Sequence, residues 1–259
     1  MIPAMIETEK LTKVFGSTLA VAELDLKVEP GEIFGFLGPN GAGKTTTVKI
    51  LTGMLRATDG RARVAGFDVV DEAVEVKRRI GYVPESGALF ENLTAGEYLE
   101  MVAGLHHLEP ARAAQRIEEF LELFGILGDR DRRMTGFSKG MKQKVLLSAA
   151  LLNNPEVLFL DEPLNGLDAN AAMIVKELLK RLAAQGRTIF FSSHILEVVE
   201  RVCTRIAIIN EGRKVMDGTF DEIARTTESP TLEEAFRKLT GGGDVGLATS
   251  DFLAALDQV

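Results

Sequence analysis

Apolar and polar positions follow two rhythms along this chain, and the changes of rhythm divide it into segments. Over the first third, short β-like runs at residues 19–28, 32–37 and 61–65 are separated by turn signals at Pro30-Gly31 and Asp59-Gly60. Across residues 93–124 the spacing becomes helical. That stretch opens with Thr94-Ala95-Gly96-Glu97, a capping box in which the Thr and Glu side chains satisfy two free backbone N–H groups. A second helix starts near Pro110 and sets Ile117, Phe120, Leu121 and Phe124 on one face, so a helical insert is expected. Strand-like runs return at Val157-Leu158-Phe159-Leu160 and Thr188-Ile189-Phe190-Phe191. Both are too uniformly apolar for half-exposed strands and suit a parallel sheet covered on both faces. Between them Asp168, as N-cap, and Gly186, as terminator, frame a helix over Ala169–Ala184, which completes a βαβ crossover. After about Glu228 come Ser229-Pro230 and a short helical stretch at 232–239. Thr240-Gly241-Gly242-Gly243 then reads as a flexible joint to a tail carrying Leu247, Phe252, Leu253 and Leu256.

Composition narrows the setting. The 259 residues are 46% apolar and 26% charged, an ordinary globular balance with enough apolar material for a packed core. A formal charge of −8 argues against a general nucleic-acid binder, which needs a concentrated basic face. The apolar run Val145-Leu146-Leu147-Ser148-Ala149-Ala150-Leu151-Leu152 falls well short of the ~20 residues that cross a bilayer. The first residues show no basic region followed by a long apolar stretch, so a cytoplasmic location is expected. The single cysteine, Cys203, cannot form an internal disulfide and reads as a small buried residue.

Two motifs carry chemistry. Gly38-Pro39-Asn40-Gly41-Ala42-Gly43-Lys44-Thr45 fits the P-loop pattern, follows an apolar strand and opens a helical run at 46–54. Its glycines let the backbone curl so that successive N–H groups point at phosphate oxygens, and the helix adds its positive end. Lys44 would bridge the β- and γ-phosphates, Thr45 would ligate magnesium, and Thr46 would meet the α-phosphate. The second motif, Asp161-Glu162, sits at the carboxyl end of a buried strand, where ligands collect in open α/β sheets. Asp161 would hold magnesium and Glu162 would orient and deprotonate an attacking water.

The cradle alone fits GTPases, kinases and helicases as well. Phe137-Ser138-Lys139-Gly140-Met141-Lys142-Gln143-Lys144, shortly before the acids, resembles the Leu-Ser-Gly-Gly-Gln signature of ABC-type ATPases. Asn165-Gly166-Leu167-Asp168 after Glu162, and His194 after Ser192-Ser193, extend the resemblance over residues 7–239. The nearest likeness is to ATPase subunits of bacterial drug- and sodium-efflux exporters with a separate permease, whose late helix resembles Leu232-Glu233-Glu234-Ala235-Phe236.

The resemblance implies an α/β P-loop NTPase fold with a mostly parallel core sheet, an N-terminal antiparallel β subdomain and an inserted helical subdomain over about 89–153. The ATPase domain would span 1–228, with the helix, joint and tail at 229–259. It further implies that Phe15 stacks on adenine and that His194 contacts the γ-phosphate. Ser138 would cap a helix whose N-terminus, with Gly140 and Met141, faces the γ-phosphate of a partner subunit. Asp168 would join the nucleotide-binding set, and Asn165, where Ser is common, would hydrogen-bond across the dimer. The active unit would be a head-to-tail homodimer, or a pair with a related ATPase subunit, glued by ATP and magnesium and docked on an integral membrane permease.

Three positions depart from the family pattern. Glu85, in Gly81-Tyr82-Val83-Pro84-Glu85, stands where Gln is usual and would add a carboxylate to the magnesium site. Lys139 and Met141 replace the usual Gly and Gln, bringing a cation toward the partner's phosphate and losing a polar contact. Leu89, Phe90 and Leu93 either fill a groove beneath the permease or pack within the insert. Two other functions fit the same motifs: a soluble ATPase acting on ribosomes or DNA, and a regulatory nucleotide switch. Neither a second cassette nor a long coiled-coil insert is present to support the former, and intact Lys44, Asp161, Glu162 and His194 count against the latter.

Overall fold

The computed structural model describes residues 3–85 and 89–241; Gly242, Gly243 and the tail residues Leu247, Phe252, Leu253 and Leu256 lie outside the described residues. The chain opens with β1 (Ile6–Phe15), which pairs antiparallel with β2 (Thr18–Val28). Sequence periodicity passes over β1 because its ladder is broken by register shifts between Thr8 and Leu11 and again before Val14, with Lys10 at a positive φ of 46°. After β3 (Ile33–Leu37), helix α1 occupies Lys44–Leu51. It starts two residues before, and ends three before, the run expected at 46–54. Gly43 launches it directly from the loop, and Gly53 at φ 68° closes it.

Strands β4 (Asp59–Val64) and β5 (Phe67–Asp68) complete an antiparallel sheet of order β2-β1-β4-β5. Helix α2 (Ala73–Arg79) leads to β6 (Ile80–Val83), and the helical insert follows as α3 (Ala95–Leu105) and α4 (Pro110–Leu123). Both halves of the Thr94 capping box are present, and Glu109 caps α4 by accepting from the N–H groups of Ala111 and Arg112 at 3.0 and 2.8 Å. Helix α5 (Lys139–Leu151) returns the chain to β7 (Val157–Asp161), α6 (Ala169–Ala184) and β8 (Thr188–Ser192), the crossover read from the sequence. Then come α7 (Leu196–Val202), β9 (Arg205–Asn210), β10 (Arg213–Gly218), α8 (Phe220–Thr227) and α9 (Leu232–Thr240).

The second sheet runs β10-β9-β3-β8-β7-β6, parallel except for the β9–β10 pair. Every residue of β3, β7 and β8 is buried, as a sheet covered on both faces requires. Alternate side chains feed two cores. Phe34, Phe36, Phe159 and Phe190 face the antiparallel sheet and α1, with ring centroids 5.0–5.6 Å apart, each pair adding about 0.5–1.5 kcal/mol beyond area burial. Ile33, Leu37, Leu158, Leu160, Ile189 and Phe191 face the helices. This arrangement lines up the carboxyl ends of β3, β7 and β8 at one edge, with α1 starting beside them. Cys203 packs beside Gly35 of β3, and burial pushes its thiol well above the usual range. Among the described residues no helix is long and apolar enough to cross a membrane.

Candidate active site

The loop after β3 is shaped by what cannot fit. Gly43 sits at φ 101°, and a Cβ there would lie 2.3 Å from the Ala20 carbonyl oxygen, so only glycine satisfies both backbone and neighbour. Ala42 is buried beneath the loop: its N–H donates to Pro39 O at 3.1 Å and its carbonyl accepts from Gly212 N–H at 3.2 Å. The loop is thereby pinned to the β9–β10 turn. Helix α1 has no side-chain N-cap and no acid in its first turn, which leaves its leading N–H groups and positive end available to an anion. Lys44 Nζ arches back to donate to Gly38 O at 2.5 Å and Pro39 O at 3.1 Å. Burial lowers the Lys44 pKa, while the charges of Asp161, Glu162 and Glu85 oppose the shift.

The acids arrive from β7. Asp161, 2% exposed, lies in register with Ser192 of β8, and the Thr45 hydroxyl donates to its Oδ2 at 3.4 Å. Burial raises the Asp161 pKa, Glu85 and Glu162 add to the rise, and the Ser192 and Thr45 hydroxyls partly offset it. Glu162, 7% exposed, adopts φ 52°, a left-handed conformation that costs a non-glycine residue roughly 1–2 kcal/mol. The strain aims its carboxylate at the segment after β8. Oε1 accepts from the His194 N–H at 2.7 Å and lies 2.8 Å from His194 Nδ1, while Oε2 accepts from Ser193 Oγ at 3.2 Å. The His194 ring itself is 68% exposed. Glu85 follows β6 as an exposed residue at the rim; with burial and Asp161 it helps push the Tyr82 hydroxyl up to about 12.

Lys44, Thr45, Glu85, Asp161, Glu162 and His194 line one cavity of about 710 Å³, together with Gly38, Pro39, Asn40, Gly41, Gly43 and Thr46. An uncapped helix end, an ammonium, a hydroxyl–carboxylate pair and a carboxylate–imidazole pair meet there, a set suited to binding and hydrolysing a polyphosphate. Phe15 lies outside this wall, 48% exposed, with the Lys13 ammonium 4.9 Å over its ring. The cavity also contains residues without a site role in the sequence: Ala20, Ser193, Leu196 and Phe236. Ser193 adjoins a quoted motif, but nothing local in the sequence brings Phe236 of α9 to this place.

The signature residues lie apart from the cavity within one chain. Ser138 caps α5, its Oγ accepting from Met141 N–H at 3.2 Å, and the Met141 side chain packs against the core. Gly140 is pressed on the Asn165–Asp168 turn so closely that a Cβ would meet Gly166 O at 2.4 Å. Asp168 caps α6 through Ala171 N–H at 2.8 Å and pairs with Lys144 Nζ at 3.2 Å. Gln143 Nε2 donates to Pro163 O at 3.0 Å, tying α5 to the turn that follows Glu162. Lys139 is exposed, its aliphatic chain over Gly166. In the insert, Leu89 and Leu93 pack inward, whereas Phe90 is 63% exposed.

Comparison with known proteins places these features in context. The family described as ABC transporter matches residues 21–165. The daunorubicin resistance ATP-binding protein DrrA3 of Streptomyces coeruleorubidus is 37% identical over 250 residues, covering 96% of this chain and 78% of that protein. A solved ATP binding subunit of an ABC transporter has a TM-score of 0.86 at 32% identity, covering 91% of this chain and 99% of that one. A dimeric bacterial ABC transporter cassette reaches 0.77 at 25% identity, with coverage of 83% and 98%.

Proposed function

Because the chain belongs to the ABC transporter family and is its ATP-binding, ATP-hydrolysing subunit, we propose that two copies clamp ATP between them and drive export through a separate membrane permease. The observation that carries this reading is the convergence of Lys44, the Thr45–Asp161 pair and the Glu162–His194 pair on one cavity beside a free helix end. Within it Gly38, Pro39, Asn40, Gly41, Ala42 and Gly43 form the phosphate-binding loop, Lys44 offsets charge on the β- and γ-phosphates, and Thr46 meets the α-phosphate. Phe15 stacks on adenine from outside the cavity, through the ring face that the Lys13 ammonium does not cover.

Thr45 and Asp161 fit magnesium. They are hard oxygen donors held together at the cavity floor, and one is a buried carboxylate whose charge burial disfavours. Glu85 at the rim offers a third oxygen. Bound magnesium supplies charge neutralisation on the phosphates during transfer.

Hydrolysis joins a water oxygen to the γ-phosphorus, breaks the bond to the bridging oxygen and releases ADP with phosphate. Glu162 takes the water's proton. A carboxylate offers about four lone-pair positions. The His194 N–H occupies one on Oε1, beside the 2.8 Å contact of Nδ1, and Ser193 occupies one on Oε2, so Oε2 keeps a position for that water. His194, held by Glu162, presents its exposed ring to the γ-phosphate. The signature end of α5, with Ser138, Gly140 and Met141, and Asp168 at the start of α6 complete the site from the second copy, which explains why they stand apart in one chain.

The resemblance to a resistance protein and the exposed Phe90 support the exporter reading, with the chain peripheral on the inner face of the membrane through its permease. Co-expression with a candidate integral membrane permease tests this. Phe90→Ala should lower permease-stimulated turnover and spare basal hydrolysis; an equal fall in both would show that Phe90 supports the fold and not the docking.

A further inference from the structure

Helix α9 closes the described chain, yet it reaches the nucleotide cavity. Leu232 and Ala235 are fully buried, and with Phe236 and Leu239 they make a face at helical spacing that packs on the helical core. The helix is anchored at both ends. Leu232 N–H donates to Glu200 Oε2 of α7 at 3.2 Å, and Lys238 Nζ donates to Thr227 O and Glu228 O of the α8 end at 2.8 and 3.0 Å. Between these ties, partly buried Phe236 joins Leu196 in the cavity wall, and Leu196 begins α7 two residues after His194.

His194 needs such support. Its ring is largely exposed, and although Ser193 Oγ accepts from Ile195 N–H at 3.1 Å, the N-cap position of α7 itself carries no capping side chain. The carboxylate of Glu162 restrains it on one side. Phe236 and Leu196 line the same cavity as His194, and an aromatic ring there adds bulk that limits how far the segment can shift.

We infer that Phe236 is a positioning residue of the ATPase site: α9 straps α7 in place, and the Phe236–Leu196 wall holds His194 where it meets the γ-phosphate. This rests on the reading of His194 as a γ-phosphate contact. A role of this kind acts on the chemical step and leaves nucleotide capture, made by the loop and α1, intact.

Steady-state hydrolysis of magnesium ATP by the full chain tests it, with binding of a fluorescent ATP analogue measured in parallel. Phe236→Ala should lower kcat about tenfold with KM and analogue affinity within about twofold of the parent. Phe236→Leu, which restores apolar bulk and guards against misfolding of the alanine variant, should recover most of the turnover. Parental kcat in Phe236→Ala overturns the inference, as does a Phe236→Leu variant no better than alanine or a loss carried by KM. His194→Ala separates the two readings. If it keeps parental turnover, the assignment of His194 fails first; if it loses turnover while Phe236→Ala does not, only the role of Phe236 fails.

Discussion

The phosphate loop edge and the signature face of the same chain are built on opposite plans. At the loop edge, polar groups are poised with capacity to spare: α1 starts uncapped, Asp161 is buried with its charge disfavoured, and Glu162 is strained toward the cavity. At the signature face the polar groups are already paired. Ser138 and Asp168 cap their own helices, Lys144 is tied to Asp168, and Gly140 is in backbone contact with Gly166. The first region turns donors and acceptors toward a cavity, whereas the second is a surface held in shape by its own ties. A partner's phosphate needs to meet a rigid surface, and the internal ties supply the rigidity.

The largest effect expected is on the loop edge. Glu162→Gln keeps the size and an oxygen acceptor but gives up the base, so phosphate release should fall by at least about 100-fold while nucleotide still binds. Turnover within a few-fold of the parent would remove Glu162 from the chemistry. Gly140→Ala probes the other plan. The new methyl collides with a backbone oxygen, so a loss of roughly 1–3 kcal/mol in unfolding free energy is expected, with nucleotide affinity at the loop unchanged. Equal stability of the two proteins would mean that the face is not rigid.

Asp161 gives a test with an unusual sign. Its folded pKa is raised, so its favourable contribution to folding is complete below the unfolded value of 3.8 and is lost as pH rises through the folded value. At neutral pH the ionised form is a liability in the nucleotide-free protein. Asp161→Asn should therefore raise Tm by roughly 1–4 °C at pH 7 without nucleotide or metal, with the gain shrinking on acidification. A lower Tm at pH 7 would contradict the burial account. The smallest effect belongs to Glu85→Gln, which exchanges a rim carboxylate for an amide. The magnesium concentration for half-maximal hydrolysis should rise about two- to fivefold, and an unchanged titration would leave Glu85 outside the metal site.

How much of this was legible in the sequence follows the range of the interactions. The phosphate loop, the terminal acids of β7, the Thr94 capping box of the insert and the βαβ crossover are local patterns, and each can be read from neighbouring residues. Strand β1 is hidden from the period of two by its bulges, and the ends of α1 differ from the expected run because Gly43 starts a helix without any capping side chain. The exposed ring of Phe15 outside the cavity, the inward packing of Leu89 and Leu93 against the outward Phe90, and the arrival of Phe236 at the cavity depend on tertiary placement. No spacing within α9 could announce that Phe236 lines the same cavity as the phosphate loop.

The central claim is that one ATP is held by the loop edge of one copy and the signature face of another, and a mixing experiment addresses it directly. Lys44→Ala disables the loop edge and Ser138→Arg obstructs the signature face, so each variant alone should be inactive. Mixed in equal amounts with magnesium ATP, half the pairs by chance carry one intact site, and about a quarter of parental phosphate release should return. A mixture no more active than its separate components would contradict the shared site.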